Sequence, residues 1–182
     1  MGAGPYSVPV TVADLIASKV IDVPDFPKSG IIFKDLTPLF ADGEAFKEII
    51  DAIREAYADE FDIVVGVEAR GFVIAAAVAY AAGVGVVPIR KAGKLPRVAH
   101  AASYELEYGQ ATLEISEGAL VPGQKVLVVD DVLATGGTAE ATLELVERAG
   151  GEIVGLSVLL ELDFLKGRER LVGRPVHALL TV

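Results

Sequence analysis

The chain contains no cysteine and no tryptophan, one methionine, and two histidines among its 182 residues. Without cysteine it can form no disulfide, thiolate metal site or cysteine nucleophile, and two isolated histidines do not make a zinc site. Basic residues are scarce as well: 16 Lys and Arg stand against 26 Asp and Glu, which gives a formal net charge of -10. This balance argues against a protein that coats nucleic acid. An anionic substrate would need a local cluster of cations.

Long apolar segments are also rare. Residues 71–89 lack charge over a length that could cross a membrane, but two glycines interrupt the run and a proline ends it. A helix at 71–82 followed by a buried strand at 84–89 fits the pattern better. The N-terminus has neither the basic start nor the apolar core of a signal peptide. We therefore expect a cytoplasmic protein that does not bind membranes.

The remaining pattern predicts an α/β fold. The length suits one domain, 1–182, and 52% hydrophobic residues are enough for a buried core. Short apolar strands alternate with helical patterns, which predicts a mainly parallel twisted sheet with helices on both faces. Asp42 is the predicted N-cap of one helix. Residues 1–23 form an N-terminal arm, 165–171 a polar helix and 174–182 an edge strand.

The most informative stretch is Lys125-Val-Leu-Val-Val-Asp-Asp-Val-Leu-Ala-Thr-Gly-Gly-Thr138, a buried parallel strand that leads into a helix. Asp130 and Asp131 close the predicted strand, where α/β sheets open their ligand crevice, and carboxylates suit vicinal hydroxyls. Residues 134–138 lack bulk, carry two hydroxyls and precede a helix N-terminus, which favours an anion. Together these features describe a pocket for ribose 5-phosphate.

A plainer interpretation stays open from spacing alone. The stretch could be an ordinary strand-to-helix turn, with Thr138 as the N-cap and the two acids merely solvated. Neither of the two best-known glycine-rich nucleotide motifs is present: the chain has no G-x-x-x-x-G-K-[ST], and this segment has no G-x-G-x-x-G.

Residues 128–138 resemble the phosphoribosyl-pyrophosphate signature of the type I phosphoribosyltransferases, and Ala134-Thr-Gly-Gly-Thr138 is similar to the form found in members that act on adenine. The resemblance extends from about Pro24 to Leu171. It implies transfer of phosphoribose from phosphoribosyl pyrophosphate to N9 of adenine, giving AMP and pyrophosphate, by a homodimer. The residues that it implies for ribose and 5'-phosphate binding are Asp130, Asp131, Ala134, Thr135, Gly136, Gly137 and Thr138. Mg²⁺ would bind mainly through substrate and water, with the two acids as candidate protein ligands.

A second loop repeats the design. A predicted strand at 61–67 ends in Glu68-Ala-Arg-Gly71 before a helix, which combines free N–H groups with an arginine suited to phosphate. The resemblance makes this the pyrophosphate loop, formed by Glu68, Ala69 and Arg70, with Arg70 also catalytic and a cis peptide at or beside Glu68–Ala69. From the residues alone, Arg70 could instead pair with Glu68.

Four cations follow the next predicted strand, in Arg90-Lys-Ala-Gly-Lys-Leu-Pro-Arg97. A charge run is usually a solvated surface, but this one leaves a strand end on the side where Asp130 and Arg70 are expected. The resemblance implies that Arg90, Lys91 and Lys94 bind pyrophosphate, some of them across a dimer interface.

The resemblance places the base at two further segments. Backbone groups near Ile32 and Lys34 would read the purine edge, although the family usually has arginine where this chain has Lys34; the alternative is a surface loop. Pro38 is predicted to keep Thr37 out of the helical region. Alternating residues at 103–115 predict a hairpin around Gly109-Gln110.

That hairpin resembles the family's mobile hood, at about 94–115, with Glu107 as the catalytic group that moves the purine proton; the alternative is an ordinary charged hairpin face. For the whole chain, two other functions stay open. It could be a phosphoribosyltransferase for another base, or a regulator that senses a ribose phosphate and binds nucleic acid, which the acidic balance disfavours.

Overall fold

The computed structural model describes residues 11–58, 60–105 and 110–182. Contacts divide the chain into two compact units, Met1–Ile49 and Ile50–Val182. The elements that begin in the first unit are α1 (Val12–Lys19), β1 (Ile21–Pro24), β2 (Ile32–Asp35), α2 (Thr37–Ala41) and α3 (Gly43–Ala56). β1 and β2 form a two-stranded antiparallel hairpin.

Two of these helices are capped at their N-termini by a side chain. Thr11 and Asp14 form a capping box at α1, in which each side chain accepts the other residue's backbone N–H at 3.1 Å. Asp42 caps α3, as predicted, because its Oδ1 accepts the N–H groups of Glu44 and Ala45 at 3.1 Å each.

The start of α2 corrects one prediction. Thr37 was expected outside the helical region because Pro38 follows it, but α2 begins at Thr37. Pro38 then lies in the first helical turn. N–H groups in that turn have no partner within the helix, so a proline is tolerated there.

The second unit is built on a seven-stranded sheet with the order β5-β6-β4-β3-β7-β8-β9. Its strands are β3 (Ile63–Val67), β4 (Gly85–Lys91), β5 (Val98–Glu105), β6 (Gln110–Ser116), β7 (Lys125–Leu133), β8 (Glu152–Glu161) and β9 (Val176–Thr181). β4, β3, β7, β8 and β9 are parallel, whereas β5 and β6 are antiparallel. The predicted mainly parallel sheet and the final edge strand are confirmed.

Two helices connect the central strands to their neighbours. α4 (Arg70–Ala82) joins β3 to β4, and α5 (Gly137–Arg148) joins β7 to β8. The two connections leave the central pair β3–β7 in opposite directions. Because parallel crossovers are right-handed, α4 and α5 lie on opposite faces of the sheet. The central strands are therefore covered on both sides, which explains their nearly continuous apolar sequence.

β7 extends further than predicted. The sequence predicts that Asp130 and Asp131 end this strand, but its pairing with β8 continues to Leu133, opposite Glu161. Its pairing with β3 stops at Val129. The two acids therefore lie where β7 is still held on one side and free of its central neighbour on the other.

The segment predicted as a polar helix at 165–171 is different as well. It consists of two short 3-10 helices, Asp163–Leu165 and Gly167–Leu171. Lys166 separates them in a left-handed conformation with φ of 55°, which an α-helix cannot accommodate.

The uncharged run at 71–89 divides as predicted. α4 ends at Gly83, whose φ is 71°, and β4 begins at Gly85. Across the described ranges, no helix combines the length and the apolar character needed to cross a membrane.

Candidate active site

Two loops meet at the carboxyl ends of β3 and β7. These strands are parallel neighbours and the chain leaves them in opposite directions, so their ends form the ligand crevice of the sheet. Gly71, in the first turn of α4, lies directly against β7: a Cβ on it would be 2.8 Å from Asp130 Oδ1 and 3.0 Å from the Val129 carbonyl oxygen. The missing side chain lets the N-terminus of α4 reach the acids of β7.

An ion pair joins the two loops. Arg70 Nη2 lies 2.6 Å from Asp131 Oδ2, and the Asp131 side chain is only 10% exposed. Asp130 Oδ1 accepts the Asp131 N–H at 2.9 Å. Burial, followed by the adjacent Asp131 carboxylate, raises the pKa of Asp130 well above its ordinary range. The cation predicted for pyrophosphate thus contacts an acid predicted for ribose.

The loop after β7 can bind an anion through its backbone. The N-cap of α5 is Gly136, with φ of 84°, a conformation that glycine adopts without strain. Glycine has no side chain to accept the first N–H groups of the helix, so a ligand can take them. Thr138 is not the N-cap that the plainer interpretation required. It lies inside α5, and its carbonyl accepts the Thr142 hydroxyl at 2.8 Å.

The loop after β3 is organised by Glu68. The Glu68–Ala69 peptide is cis, as the resemblance implied. The Glu68 side chain is 8% exposed and accepts from Arg90 Nε at 3.3 Å, from the Lys91 N–H at 2.9 Å and from the Lys94 ammonium. The Lys94 contact is the main reason that the pKa of Glu68 falls from 4.5 to about 2.

The cation run therefore does belong to this crevice. β4 lies beside β3 with Ile89 opposite Val67, so Arg90 and Lys91, the last two residues of β4, lie next to Glu68. The Arg90 guanidinium also lies over the Phe72 ring, 5.9 Å from its centroid. Phe72 was not singled out in the sequence, where an aromatic residue near a helix start is indistinguishable from a core residue.

The predicted hairpin is present as β5 and β6. β5 begins at Val98, earlier than the predicted start. Gln110, the first residue of β6, pairs with Glu105 of β5, so it is not a turn residue. Glu107, the predicted proton-transfer group, lies outside the described residues. β5 packs beside α5: a Cβ on Gly137 would be 3.0 Å from the Tyr104 ring, and Arg148 donates to the Ala101 carbonyl at 2.8 Å.

The predicted base-reading residues lie in β2, within the first unit. The Ile32 side chain is 56% exposed. Lys34 Nζ lies 2.7 Å and 2.9 Å from the two Asp22 carboxylate oxygens. The Lys34 ammonium thus binds the Asp22 carboxylate of β1. The backbone of β2 is then the group that could hydrogen-bond to a base.

The chain resembles one family over most of its length. Residues 38–172 match the phosphoribosyl transferase domain family. The chain is 72% identical to adenine phosphoribosyltransferase of Salinispora tropica over 171 residues, which cover 93% of this chain and 91% of that protein.

Solved structures agree with this match. The crystal structure of adenine phosphoribosyltransferase from Thermoanaerobacter pseudethanolicus superposes with a TM-score of 0.89 at 46% identity, covering 92% of this chain and 98% of that one. The Saccharomyces cerevisiae enzyme, crystallised with an imino-altritol bisphosphate and adenine, gives a TM-score of 0.88 at 42% identity, covering 93% and 98%. The chain therefore belongs to the adenine phosphoribosyltransferase family, within the phosphoribosyl transferases.

Proposed function

We propose that the crevice transfers phosphoribose from phosphoribosyl pyrophosphate to N9 of adenine, giving AMP and pyrophosphate. The observation that carries the assignment of roles is the 2.6 Å contact between Arg70 and Asp131. In this proposal Arg70 binds phosphate and Asp131 binds a ribose hydroxyl, and their contact supports a site in which the two halves of one sugar pyrophosphate meet. The same-family relatives named above act on adenine by name.

The β7 side binds the ribose 5-phosphate in this proposal. The carboxylates of Asp130 and Asp131 accept hydrogen bonds from the two ribose hydroxyls. Backbone N–H groups of the loop and of the first turn of α5, with the hydroxyls of Thr135 and Thr138, bind the 5'-phosphate. Gly136 and Gly137 let the phosphate approach the backbone, and Ala134 adds no bulk.

The β3 side binds the pyrophosphate. Its donors are backbone groups at Glu68–Ala69, the Arg70 guanidinium, and the cations Arg90, Lys91 and Lys94. Arg90, the Lys91 backbone and Lys94 contact the Glu68 carboxylate, so an incoming pyrophosphate shares or replaces that carboxylate as their acceptor. Because charge accumulates on pyrophosphate as it leaves, donors held at this place stabilise the transition state more than the ground state.

Mg²⁺ is the proposed cofactor. Within the described part of the chain, no group of three or more His, Cys, Asp or Glu side chains could hold a metal. The two adjacent carboxylates, Asp130 and Asp131, fit an ion that takes one or two protein oxygens and completes its shell with substrate phosphates and water. When bound, it would neutralise charge on the departing pyrophosphate.

The reaction needs no protein nucleophile. Ribose C1' gains cationic character as the pyrophosphate leaves, so the protein contributes positioning and charge stabilisation. We propose that the backbone at Ile32 and Lys34 positions adenine and that Glu107 takes part in the transfer of the purine proton. The hood, when it covers the site, excludes the water that could otherwise hydrolyse the donor.

The test is pyrophosphate release from phosphoribosyl pyrophosphate and Mg²⁺ with adenine, hypoxanthine, guanine or orotate in parallel. We expect release with adenine. Release only with another base would overturn the choice of base but keep the reaction. A folded protein that binds the donor and releases nothing with any base would instead favour the regulator, which a mobility-shift assay at low salt would check.

A matched pair of hood variants tests the proposed proton-transfer group. Glu107→Gln should lower kcat by about 100-fold or more, whereas Glu105→Gln, two residues away in the same hood, should change it little. Equal effects on kcat would remove Glu107 from the mechanism.

The single-domain organisation, the homodimer and the cytoplasmic location stay predictions from the sequence, and sedimentation velocity would test the dimer.

A further inference from the structure

The segment after β8 packs against the loop after β7. Gly167 is buried and begins the second 3-10 helix, Gly167–Leu171. A Cβ on Gly167 would overlap the Ala134 carbonyl oxygen and lie 3.0 Å from the Gly136 nitrogen. A Cβ on Gly136 would likewise overlap the Gly167 carbonyl oxygen. The two backbones are therefore in direct contact.

Close approach is the reason for a glycine at position 167. The φ of Gly167 lies outside the left-handed region, unlike that of Gly136, so an alanine could adopt the same backbone without strain. The left-handed conformation in this turn belongs to the preceding residue, Lys166. What excludes a side chain at Gly167 is the position of the Ala134–Gly136 backbone.

Arg168 anchors this contact to the sheet. Its Nε donates to Glu161 Oε1 at 2.8 Å, its Nη2 donates to Glu161 Oε2, and its Nη1 donates to the Val176 carbonyl at 2.9 Å. Glu161 is the last residue of β8 and is only 4% exposed. A two-point contact between guanidinium and carboxylate fixes orientation as well as distance. Gly167 is therefore held against the loop by its neighbour's attachment to β8 and β9.

We propose that Gly167 and the Arg168–Glu161 pair are positioning residues that hold the 134–136 backbone where it binds the 5'-phosphate. This inference rests on the function proposed above. The loop has no charged side chain of its own, so its affinity for phosphate depends on where its N–H groups point. A displacement of about 1 Å is enough to weaken such a site strongly.

Calorimetric titration with two ligands separates positioning from general damage. AMP carries a 5'-phosphate, whereas inorganic pyrophosphate does not. Gly167→Ala should raise the Kd of AMP at least about tenfold and leave the Kd of pyrophosphate within about twofold. A merely structural role would change thermal stability and affect both ligands alike or neither. Equal changes for the two ligands, or an unchanged AMP affinity, would overturn the proposal.

Two control variants match the substitutions. Gly43→Ala adds the same methyl group where no described heavy atom lies within 4 Å, and it should leave both affinities unchanged. Arg174 forms a two-nitrogen contact with Glu147 near the C-terminal end of α5, so Arg174→Met removes an ion pair of the same type, with a more exposed carboxylate, far along the helix from the loop.

If Gly167→Ala does not fold, Arg168→Met decides the question. It should raise the Kd of AMP about threefold or more relative to Arg174→Met, again with the Kd of pyrophosphate unchanged. Equal AMP affinities would overturn the proposal.

Titration of the wild-type protein distinguishes failure of the proposed function from failure of the positioning role. A wild-type protein that binds neither AMP nor phosphoribosyl pyrophosphate would overturn the proposed function, whereas normal wild-type binding with unaltered variants would overturn only the role of this segment.

Discussion

The loops after β3 and β7 both start a helix at the same crevice, but they are built differently. The β3 loop is charged: Glu68 gathers two cationic side chains, and Arg70 reaches across to Asp131. The loop at 134–136 has no charged side chain and is held by backbone contact with Gly167. In the proposed reaction, the charged loop receives the group that leaves and the uncharged loop holds the group that stays.

This difference follows from what each ligand does. Charge on pyrophosphate increases as it departs, so cations that a protein counterion already holds in place can stabilise it. The 5'-phosphate keeps its charge throughout and serves as an anchor, for which a rigid backbone is sufficient. The charged loop should therefore be sensitive to charge and salt, and the uncharged loop to added volume.

The largest effect should come from one methyl group in the uncharged loop. Gly136→Ala would place a side chain at φ of 84° and against the Gly167 carbonyl. We expect kcat/KM for phosphoribosyl pyrophosphate to fall more than about 100-fold. Gly118→Ala is the control, since Gly118 also has a positive φ, of 65°, but no described heavy atom within 4 Å. Similar losses of kcat/KM in the two variants would mean that backbone strain alone causes the effect.

The next effect should come from one charge in the other loop. Arg70→Gln removes a proposed phosphate-binding group and leaves the Asp131 carboxylate without this partner, so kcat/KM should fall about 10- to 100-fold and the melting temperature should drop. Adding Asp131→Asn should restore the melting temperature but not the activity. Arg54→Gln, on α3, should change neither. Recovery of activity in the double variant would contradict a ligand-binding role for both residues.

The parts of this architecture that could be predicted are local. The apolar runs of the central strands, the Asp42 cap and the two loops each depend on residues within a few positions, and periodicity and helix-start patterns report them. The parts that could not be predicted join distant segments. Pairing with β8 extends β7 past Asp131, and no pattern near Gly167 indicates that it contacts the loop at 134–136.

The site residues show the same division. Arg70 was recognised as a candidate from its place before a helix, but its contact with Asp131 depends on the approach that Gly71 permits between α4 and β7. Glu68 was grouped with the pyrophosphate ligands. Its carboxylate also accepts from Arg90, in β4, and from Lys94, which follows that strand; these residues lie 22 and 26 positions away along the chain.

A smaller effect concerns salt. Raising KCl from about 50 mM to about 500 mM should weaken pyrophosphate binding about tenfold and AMP binding about twofold, because screening acts on the charged side chains of Arg90 and Lys94 more than on backbone N–H groups. Titration calorimetry at both salt concentrations measures the two ratios. Equal ratios would contradict the division of the site into a charged loop and a backbone loop.

The smallest effect is the pH dependence of stability that Glu68 contributes in the charged loop. Contact with Lys94 lowers the pKa of Glu68 from 4.5 to about 2. A carboxylate with a lowered folded-state pKa stabilises the fold above its unfolded-state value, and that contribution is lost as the pH falls from about 4.5 towards about 2. The wild-type protein should therefore be more stable than Glu68→Gln at about pH 6.

That advantage should shrink steadily on acidification. Urea unfolding at about pH 6, 4.5 and 3 measures it, with Glu117→Gln, in the turn after β6, as the matched substitution of an exposed glutamate. An advantage that stayed constant down to about pH 3 would mean that Glu68 stabilises the loop through shape and hydrogen bonding. The charge of Glu68 would then have no part in holding the cations that are proposed to bind pyrophosphate. The difference in charge between the two loops would then depend on Arg70 alone.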